Sequence, residues 1–278
     1  MVSLGVLSLH LDGAPCRVGC EFCYLGARQG SAADGRAAPS SQVLIELVDQ
    51  LVYDELAIAL SEPVEPHLSA VAALFEVARR RGKRTTVTTT MQVAGTHRAA
   101  LVGLDRLNLS VDPRKGRVLP DRIDQLARLL KQDTPSLDVV LLPTLVTPEF
   151  ADWLVQGGGL ELLLALPSVD KIALSALKPP PPWCDRAFWM RTLRTLDPLL
   201  KLHLDRRLFL DCYVAARWLG LGGCPARADL SPDGDGWAFR GCVYQPRADA
   251  IVVSPASLTR LVDELRRFEA PRACPFPT

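Results

Sequence analysis

Hydrophobic and polar positions follow a repeated order along the first two thirds of the chain. A short apolar run is followed by a stretch with apolar residues every three or four positions. Val6 to Leu9 reads as a strand and Val43 to Leu51 as a helix. Leu56 to Leu60 is uniformly apolar, as expected for a parallel strand covered on both faces. Leu68 to Arg81 has helical periodicity and ends in cations before Gly82. Arg84 to Thr90, rich in β-branched residues, predicts a third strand, and His97 to Leu101 has room only for a short helix before a strand at Arg106 to Val111. A helix at Asp121 to Lys131, a strand at Asp138 to Leu145, a helix from Pro148 to Gln156 and a strand at Lys171 to Ala176 complete the series. The apolar stretch Gly159 to Leu166 is far shorter than the roughly 20 residues of a membrane-spanning helix.

Six strand-then-helix units in series predict an α/β fold on a parallel sheet, either an open doubly wound sheet or a curved, incomplete barrel. In both, ligands belong at the carboxyl ends of the strands. A proline block, Pro179 to Pro182, interrupts the pattern, a helix at Arg186 to Leu200 follows, and from Leu202 the alternation stops. Residues 1–201 are therefore expected to form the α/β domain. Residues 202–278, with four cysteines, the turn sequence Pro232-Asp233-Gly234 and an amphipathic stretch at Pro255 to Phe268, are expected to form a small second domain.

Composition narrows the class. With 278 residues, 48% of them hydrophobic, the chain can bury a substantial core. A net charge of +1 gives no support to a nucleic-acid-coating surface. The segment Met1 to Gly13 lacks the features of a secretory signal, so the eight cysteines are expected to stay reduced in the cytoplasm, where thiols serve metal binding, catalysis or burial more often than disulfides.

Spacing separates those uses. Cys16, Cys20 and Cys23 form C-x3-C-x2-C just beyond the first strand. Three thiolates on one loop can hold one corner of an iron–sulfur cube and leave one iron open to a non-protein ligand. A structural zinc site would need a fourth ligand, for which His10 is the only nearby imidazole, and unrelated buried thiols are the third reading.

This triplet, with the aromatic Phe22 before its last cysteine, resembles the signature of the radical SAM superfamily. The resemblance implies a partial (β/α)6 barrel in which the cysteine loop follows the first strand. It also implies a 4Fe-4S cluster whose open iron chelates S-adenosyl-L-methionine. Reductive cleavage would then yield a 5'-deoxyadenosyl radical that abstracts hydrogen from a substrate, with the protein supplying position and the exclusion of water. Leu60-Ser61-Glu62-Pro63 matches the family's Gly-Gly-Glu-Pro type motif in its last two residues and departs from it in both glycines. On this likeness Glu62 would contact the methionine amino group. Asn108-Leu109-Ser110-Val111-Asp112 resembles the family's Ser-x-Asp strand ending, which implies Ser110 near the ribose hydroxyls and Asp112 there or facing substrate. Tyr24 would adjoin the cofactor, and Thr88, Thr89 and Thr90 would line the same cavity or serve only as β-formers.

Cys212, Cys224, Cys242 and Cys274, with the Pro232-Asp233-Gly234 turn, resemble the short form of the cysteine-rich SPASM/twitch extension of radical SAM proteins. That implies an auxiliary 4Fe-4S cluster with all four irons ligated by protein, suited to electron transfer or structural support; a four-cysteine zinc site or separate buried thiols are the alternatives. Cys184 remains, either as a hydrogen or proton donor at the mouth of the barrel or as a packed thiol beside Trp183. His10 and His67 follow strands and are candidates for proton handling. The basic run Arg79 to Arg84 is expected to offset a helix dipole.

Taken with the resemblance, these residues imply a radical SAM oxidoreductase or peptide-modifying enzyme. It would act on a ribosomally made peptide or a small metabolite such as a sugar or cyclitol, with a flavodoxin or ferredoxin as electron donor. With fifteen residues before Cys16, no separate leader-peptide domain is expected ahead of it, which weakens the peptide reading. Loss of the paired glycines keeps a third reading open, a scaffold that binds iron–sulfur or zinc without radical chemistry.

Overall fold

The computed structural model describes residues 4–11, 41–60, 64–112, 119–176, 183–203, 207–210, 227–233, 236–240, 251–253, 259 and 262–263. The chain divides into two compact units, residues 1–89 with 224–277 and residues 90–223.

In the first unit, β1 (Leu4–His10), β2 (Tyr53–Ala59) and β3 (Arg84–Thr90) run parallel. The helices α1 (Ser41–Gln50) and α2 (Leu68–Arg80) connect them and pack on each other. Leu7, Leu9, Leu56, Ile58 and Val87 are buried on the strands, and Leu44, Leu47, Val48, Val71 and Leu74 on the helices. The other edge of β1 carries a finding that the sequence did not suggest. Part of the segment expected to stand apart instead extends this sheet: β8 (Arg227–Asp233) pairs parallel with β1, β9 (Gly236–Arg240) antiparallel with β8, and β10 (Ile251–Val253) antiparallel with β9. Asp233 opposite Gly236 closes a hairpin across the Pro-Asp-Gly sequence.

The second unit repeats the scheme. The strands β4 (Arg106–Val111), β5 (Asp138–Leu145), β6 (Lys171–Ala176) and β7 (Leu208–Leu210) form four consecutive parallel strands. The short helix expected at His97 to Leu101 is present as a 3-10 turn, Arg98–Leu101, and a helix not expected from the sequence, α3 (Met91–Thr96), precedes it. Thr90 caps α3, its hydroxyl accepting from the Val93 N–H at 3.2 Å. Helix α4 (Pro120–Asp133) joins β4 to β5. Between β5 and β6 lie two helices, α5 (Pro148–Val155), capped by Thr147, and α6 (Gly159–Leu164).

Gly158, at φ 73°, makes the turn between these two helices, and a Cβ on Gly159 would meet the Trp153 ring at 2.8 Å. The apolar run from Gly159 is thus a second helix packed on the first. Helix α7 (Arg186–His203) precedes β7.

Leu107, Leu109 and Val111 are buried, alternating with the half-exposed Arg106, Asn108 and Ser110. The sheet thus gives one face to the helices and keeps a more polar one. Among the described residues no helix is long and apolar enough to cross a membrane.

Candidate functional site

Carboxyl strand ends are built differently from amino ends in both units. In the first, His10 on β1, Ala59 on β2 and Thr88 on β3 are register partners in one row across the sheet. His10 is buried, and Ala59, with only a methyl group, stands between it and Thr88. The row beneath is Asp229 on β8, Ser8, Ala57 and Thr86. These rows are small and polar where the single row between them, Leu9, Ile58 and Val87, is apolar.

The end of β2 is held from β3 on both sides of one residue. The Leu60 N–H donates to the Thr88 carbonyl at 2.9 Å, and the Thr89 hydroxyl donates to the Leu60 carbonyl at 3.0 Å in buried surroundings. Thr88 thus joins the polar row and Thr89 points to the other face to fix a backbone carbonyl, while Thr90 serves as a helix cap. Sequence reasoning grouped the three; the alternation of a strand separates them.

In the second unit, Ser110 is half-buried at the end of β4 and Asp112 follows it, buried. Thr144 on β5 faces Ser175 on β6 in register. Asn108, Ser110, Thr144 and Ser175 are all half-exposed, so the polar face of β4, β5 and β6 carries uncharged donors and acceptors towards its carboxyl half.

Two candidates are placed away from strand ends or deep in packing. His67 closes a 3-10 turn, Glu65–His67, leading into α2, with its N–H bonded to the Val64 carbonyl at 2.9 Å. Cys184 is 1% exposed, which decides its chemistry. Burial pushes its thiol up to about 11; a hydrogen bond from Trp189 opposes the shift and the Asp185 carboxylate adds to it. Such a sulfur stays protonated at neutral pH and is a poor nucleophile. Asp185 caps α7, accepting from the Phe188 N–H at 2.7 Å, and Trp183, Phe188 and Trp189 meet edge to face around this turn.

The basic run is absorbed structurally. Arg79 pairs with Glu76 at 3.2 Å, Arg81 donates to the Val48 and Asp49 carbonyls, and Arg81 and Lys83 each stand 5.8 Å from the Tyr53 ring centroid.

Cys16, Cys20, Cys23, Phe22, Tyr24, Glu62, Cys212, Cys224, Cys242 and Cys274 lie outside the described residues. Among the described residues no group of three or more His, Cys, Asp and Glu is close enough to hold a metal ion. The donor chemistry of the triplet nevertheless suits an iron–sulfur cluster. In the sequence the three cysteines, within eight residues, begin six residues after β1 ends, and β1 ends at the carboxyl edge, where a parallel sheet takes its ligands.

Comparison with known proteins adds no assignment. No family model matches the chain, and no curated protein does. Among solved structures, dihydropteroate synthase from Anaplasma phagocytophilum with bound 6-hydroxymethylpterin-monophosphate is similar over 75% of this chain and 93% of that one, at 12% identity and a TM-score of 0.30. A likeness at that level carries no weight for fold or function.

Proposed function

We propose that the protein is a radical SAM enzyme built on a partial (β/α)6 barrel, using S-adenosyl-L-methionine and a 4Fe-4S cluster to abstract hydrogen from a peptide or small-molecule substrate. The observation that carries the reading is the junction at the end of β1. A buried parallel strand runs out at His10 and Leu11 into C-x3-C-x2-C, with the end of β2 as its register neighbour. When bound, such a cluster supplies the electron that cleaves the sulfonium carbon–sulfur bond.

The chain's own residues would do the rest. Cys16, Cys20 and Cys23 would hold three irons, with Phe22 and Tyr24 packing beside them. Glu62, two residues past the buried Leu60, would take the methionine ammonium, and Ser110 the ribose hydroxyls. Asp112, buried beyond β4, would orient substrate or ribose. The polar rows on β1 and β3 in the first unit, and those on β4, β5 and β6 in the second, each suit a ligand rich in hydrogen-bonding groups, whether a peptide backbone or a hydroxylated metabolite. Cys212, Cys224, Cys242 and Cys274 would hold an auxiliary cluster, and a flavodoxin or ferredoxin would deliver electrons. Cys184, as a neutral buried thiol, could act only as a hydrogen-atom donor.

Anaerobic reconstitution with iron and sulfide, then dithionite and S-adenosyl-L-methionine, tests the reading. The expected outcome is release of 5'-deoxyadenosine and methionine, lost when Cys16, Cys20 and Cys23 are all changed to alanine, with about four irons per chain remaining in that variant. A fully reconstituted chain that releases neither product refutes the enzyme reading, and zinc or no metal in the triple variant refutes the auxiliary cluster.

A further inference from the structure

A buried hydroxyl without a hydrogen-bond partner destabilises the chain that carries it, and a methyl group of the same size in its place does not. Thr86 is such a residue. It is 2% exposed on β3, and its hydroxyl has no partner among the described residues. The strand itself does not require it: the next residue, Val87, has the same shape and completes the apolar row Leu9, Ile58 and Val87 on the opposite face.

The neighbours of Thr86 give that hydroxyl a setting. Register puts Ser8, Ala57 and Thr86 in one row across β1, β2 and β3, and His10, Ala59 and Thr88 in the next row towards the carboxyl edge, on the same face. The middle strand carries only methyl groups in these rows, between a hydroxyl and an imidazole on one side and two hydroxyls on the other. The rows thus form a trench floored by Ala57 and Ala59. Ala59 and Thr88 are half-exposed, whereas Ser8, Ala57 and Thr86 are buried. The trench opens at the carboxyl edge and closes inward, where Glu55 and Arg84, one row lower, pair with each other at 3.8 Å.

Its size and chemistry select a ligand. Strands lie about 4.8 Å apart, so Ser8 and Thr86, on either side of β2, stand about 10 Å from each other. Hydrogen bonds of about 2.8 Å from both sides leave about 4–6 Å between the ligand's own outer polar atoms, the span of one small ring. The two rows are only about 7 Å apart along the strands, and the ion pair beneath stands across the path a longer chain would take. In these rows β1, β2 and β3 present no carboxylate, ammonium or guanidinium group, so a charged ligand would lose its hydration without gaining a counter-charge. Hydroxyls both donate and accept, and match hydroxyls of a ligand in either sense.

We infer that this face of β1, β2 and β3 binds a small, uncharged, polyhydroxylated molecule, and that Thr86 is a substrate-binding residue whose hydroxyl is paired only when that molecule is present. The inference rests on the function proposed above in making that molecule the substrate, and it decides there for a hydroxylated metabolite over a peptide. The trench and the unpaired hydroxyl are independent of that reading. A threonine kept where a valine is more stable is a sacrifice of stability to binding.

The probe is myo-inositol, which carries a hydroxyl on every ring carbon, with citrate as an acidic comparator and trialanine as a peptide one. In the anaerobically reconstituted full chain, saturation-transfer NMR titration is expected to show myo-inositol bound with a dissociation constant of about 1 mM and neither comparator bound. Thr86→Val should weaken binding at least about tenfold, and Thr86→Ser, which keeps the hydroxyl, by less than about threefold. Without ligand, Thr86→Val should raise the urea midpoint of unfolding at unchanged slope. The control is Thr85→Val, at a residue 0% exposed on the opposite face beside Leu56, and it should bind myo-inositol as wild type does.

Binding undiminished in Thr86→Val, or equally weakened in Thr85→Val, overturns the inference. So does a Thr86→Val chain that is less stable than wild type or does not fold, because the hydroxyl would then have a partner to lose. Citrate or trialanine held in a Thr86-dependent way overturns the ligand class. Wild-type protein that cleaves S-adenosyl-L-methionine and binds no myo-inositol overturns the inference and leaves the proposed function standing. Protein that binds myo-inositol through Thr86 and cleaves no S-adenosyl-L-methionine overturns the function and leaves the site.

Discussion

At the amino ends of β4, β5 and β6, charge is dense and is compensated by ion pairs and hydrogen bonds. At the carboxyl ends of the same strands the half-exposed side chains are uncharged. Asp138 takes Arg106 at 3.1 Å and Lys171 at 2.7 Å on one carboxylate oxygen, joining three neighbouring strands. Asp170 takes Lys131 at 2.7 Å and also accepts from the Val139 N–H at 2.7 Å. Arg207 donates to the Leu166 and Val169 carbonyls. The carboxyl half of that face carries Asn108, Ser110, Thr144 and Ser175.

The difference separates two uses of polarity. Ion pairs tie strand starts and helix ends together, with their groups pointing at each other. Small hydroxyl and amide side chains in rows put uncharged polar groups along the face. In parallel α/β folds this division assigns stability to the amino edge and ligands to the carboxyl edge.

The most forceful way to break that comparison is to remove its central carboxylate. Asp138→Ala leaves Arg106 and Lys171 side by side without a counter-charge. With these side chains 21–33% exposed, the expected cost lies between that of a surface pair and a buried one, about 2 kcal/mol. Urea unfolding should show a lower midpoint at unchanged slope, while, on the function proposed above, the KM for S-adenosyl-L-methionine stays put. An altered KM with stability unchanged would reverse the assignment of that edge.

Ser110→Ala is the reciprocal change and a smaller one. It removes one hydroxyl at the carboxyl end of β4 and, on the function proposed above, should raise the KM for S-adenosyl-L-methionine about threefold to tenfold, with the unfolding midpoint moved by less than about 0.5 kcal/mol in equivalent stability. A destabilised variant with normal KM would make Ser110 a structural contact.

The two edges were not equally legible in the sequence. Strands β3, β4, β5 and β6 begin and end where the apolar and β-branched runs do, because a buried parallel strand needs an unbroken run and its ends are marked by the return of polarity. Helix α3 was missed because Thr-Thr-Thr-Met reads as continuing strand until one threonine is seen capping. The pairing of β8 with β1 was missed for a different reason: it joins residues more than two hundred positions apart, across a strand that contains Pro232, and local pattern holds no record of such a partner.

The candidate site shows the same limit. Cysteine spacing is a local property and could be read directly. The Asp138 network, the Thr89 clamp and the sealed environment of Cys184 are tertiary, and no single segment announces them.

The finest test of the comparison is Tyr53, at the amino end of β2 in the other unit. It is fully buried between cations, and its hydroxyl has no hydrogen-bond partner among the described residues. Burial pushes its pKa up to about 12; Arg81 opposes the shift and Asp49 adds to it. Because the folded value lies above the ordinary 10.0, the stabilisation is complete below about pH 10 and is lost as pH rises towards 12, where the unfolded chain releases the proton more readily.

Cys184 behaves in the same sense one unit lower, between its ordinary 9.0 and about 11, so alkaline loss should begin with the thiol and continue with the phenol. Tyr53→Phe should therefore change stability at pH 7 by less than about 1 kcal/mol, since it deletes a buried group with no bond to lose, and should flatten the decline between pH 10 and 12 while leaving the onset near pH 9. Unfolding midpoints of wild type and variant that fall in parallel across pH 9 to 12 would mean the phenol ionises as freely in the folded chain as in the unfolded one, and the amino edge would then be open to water where its packing closes it.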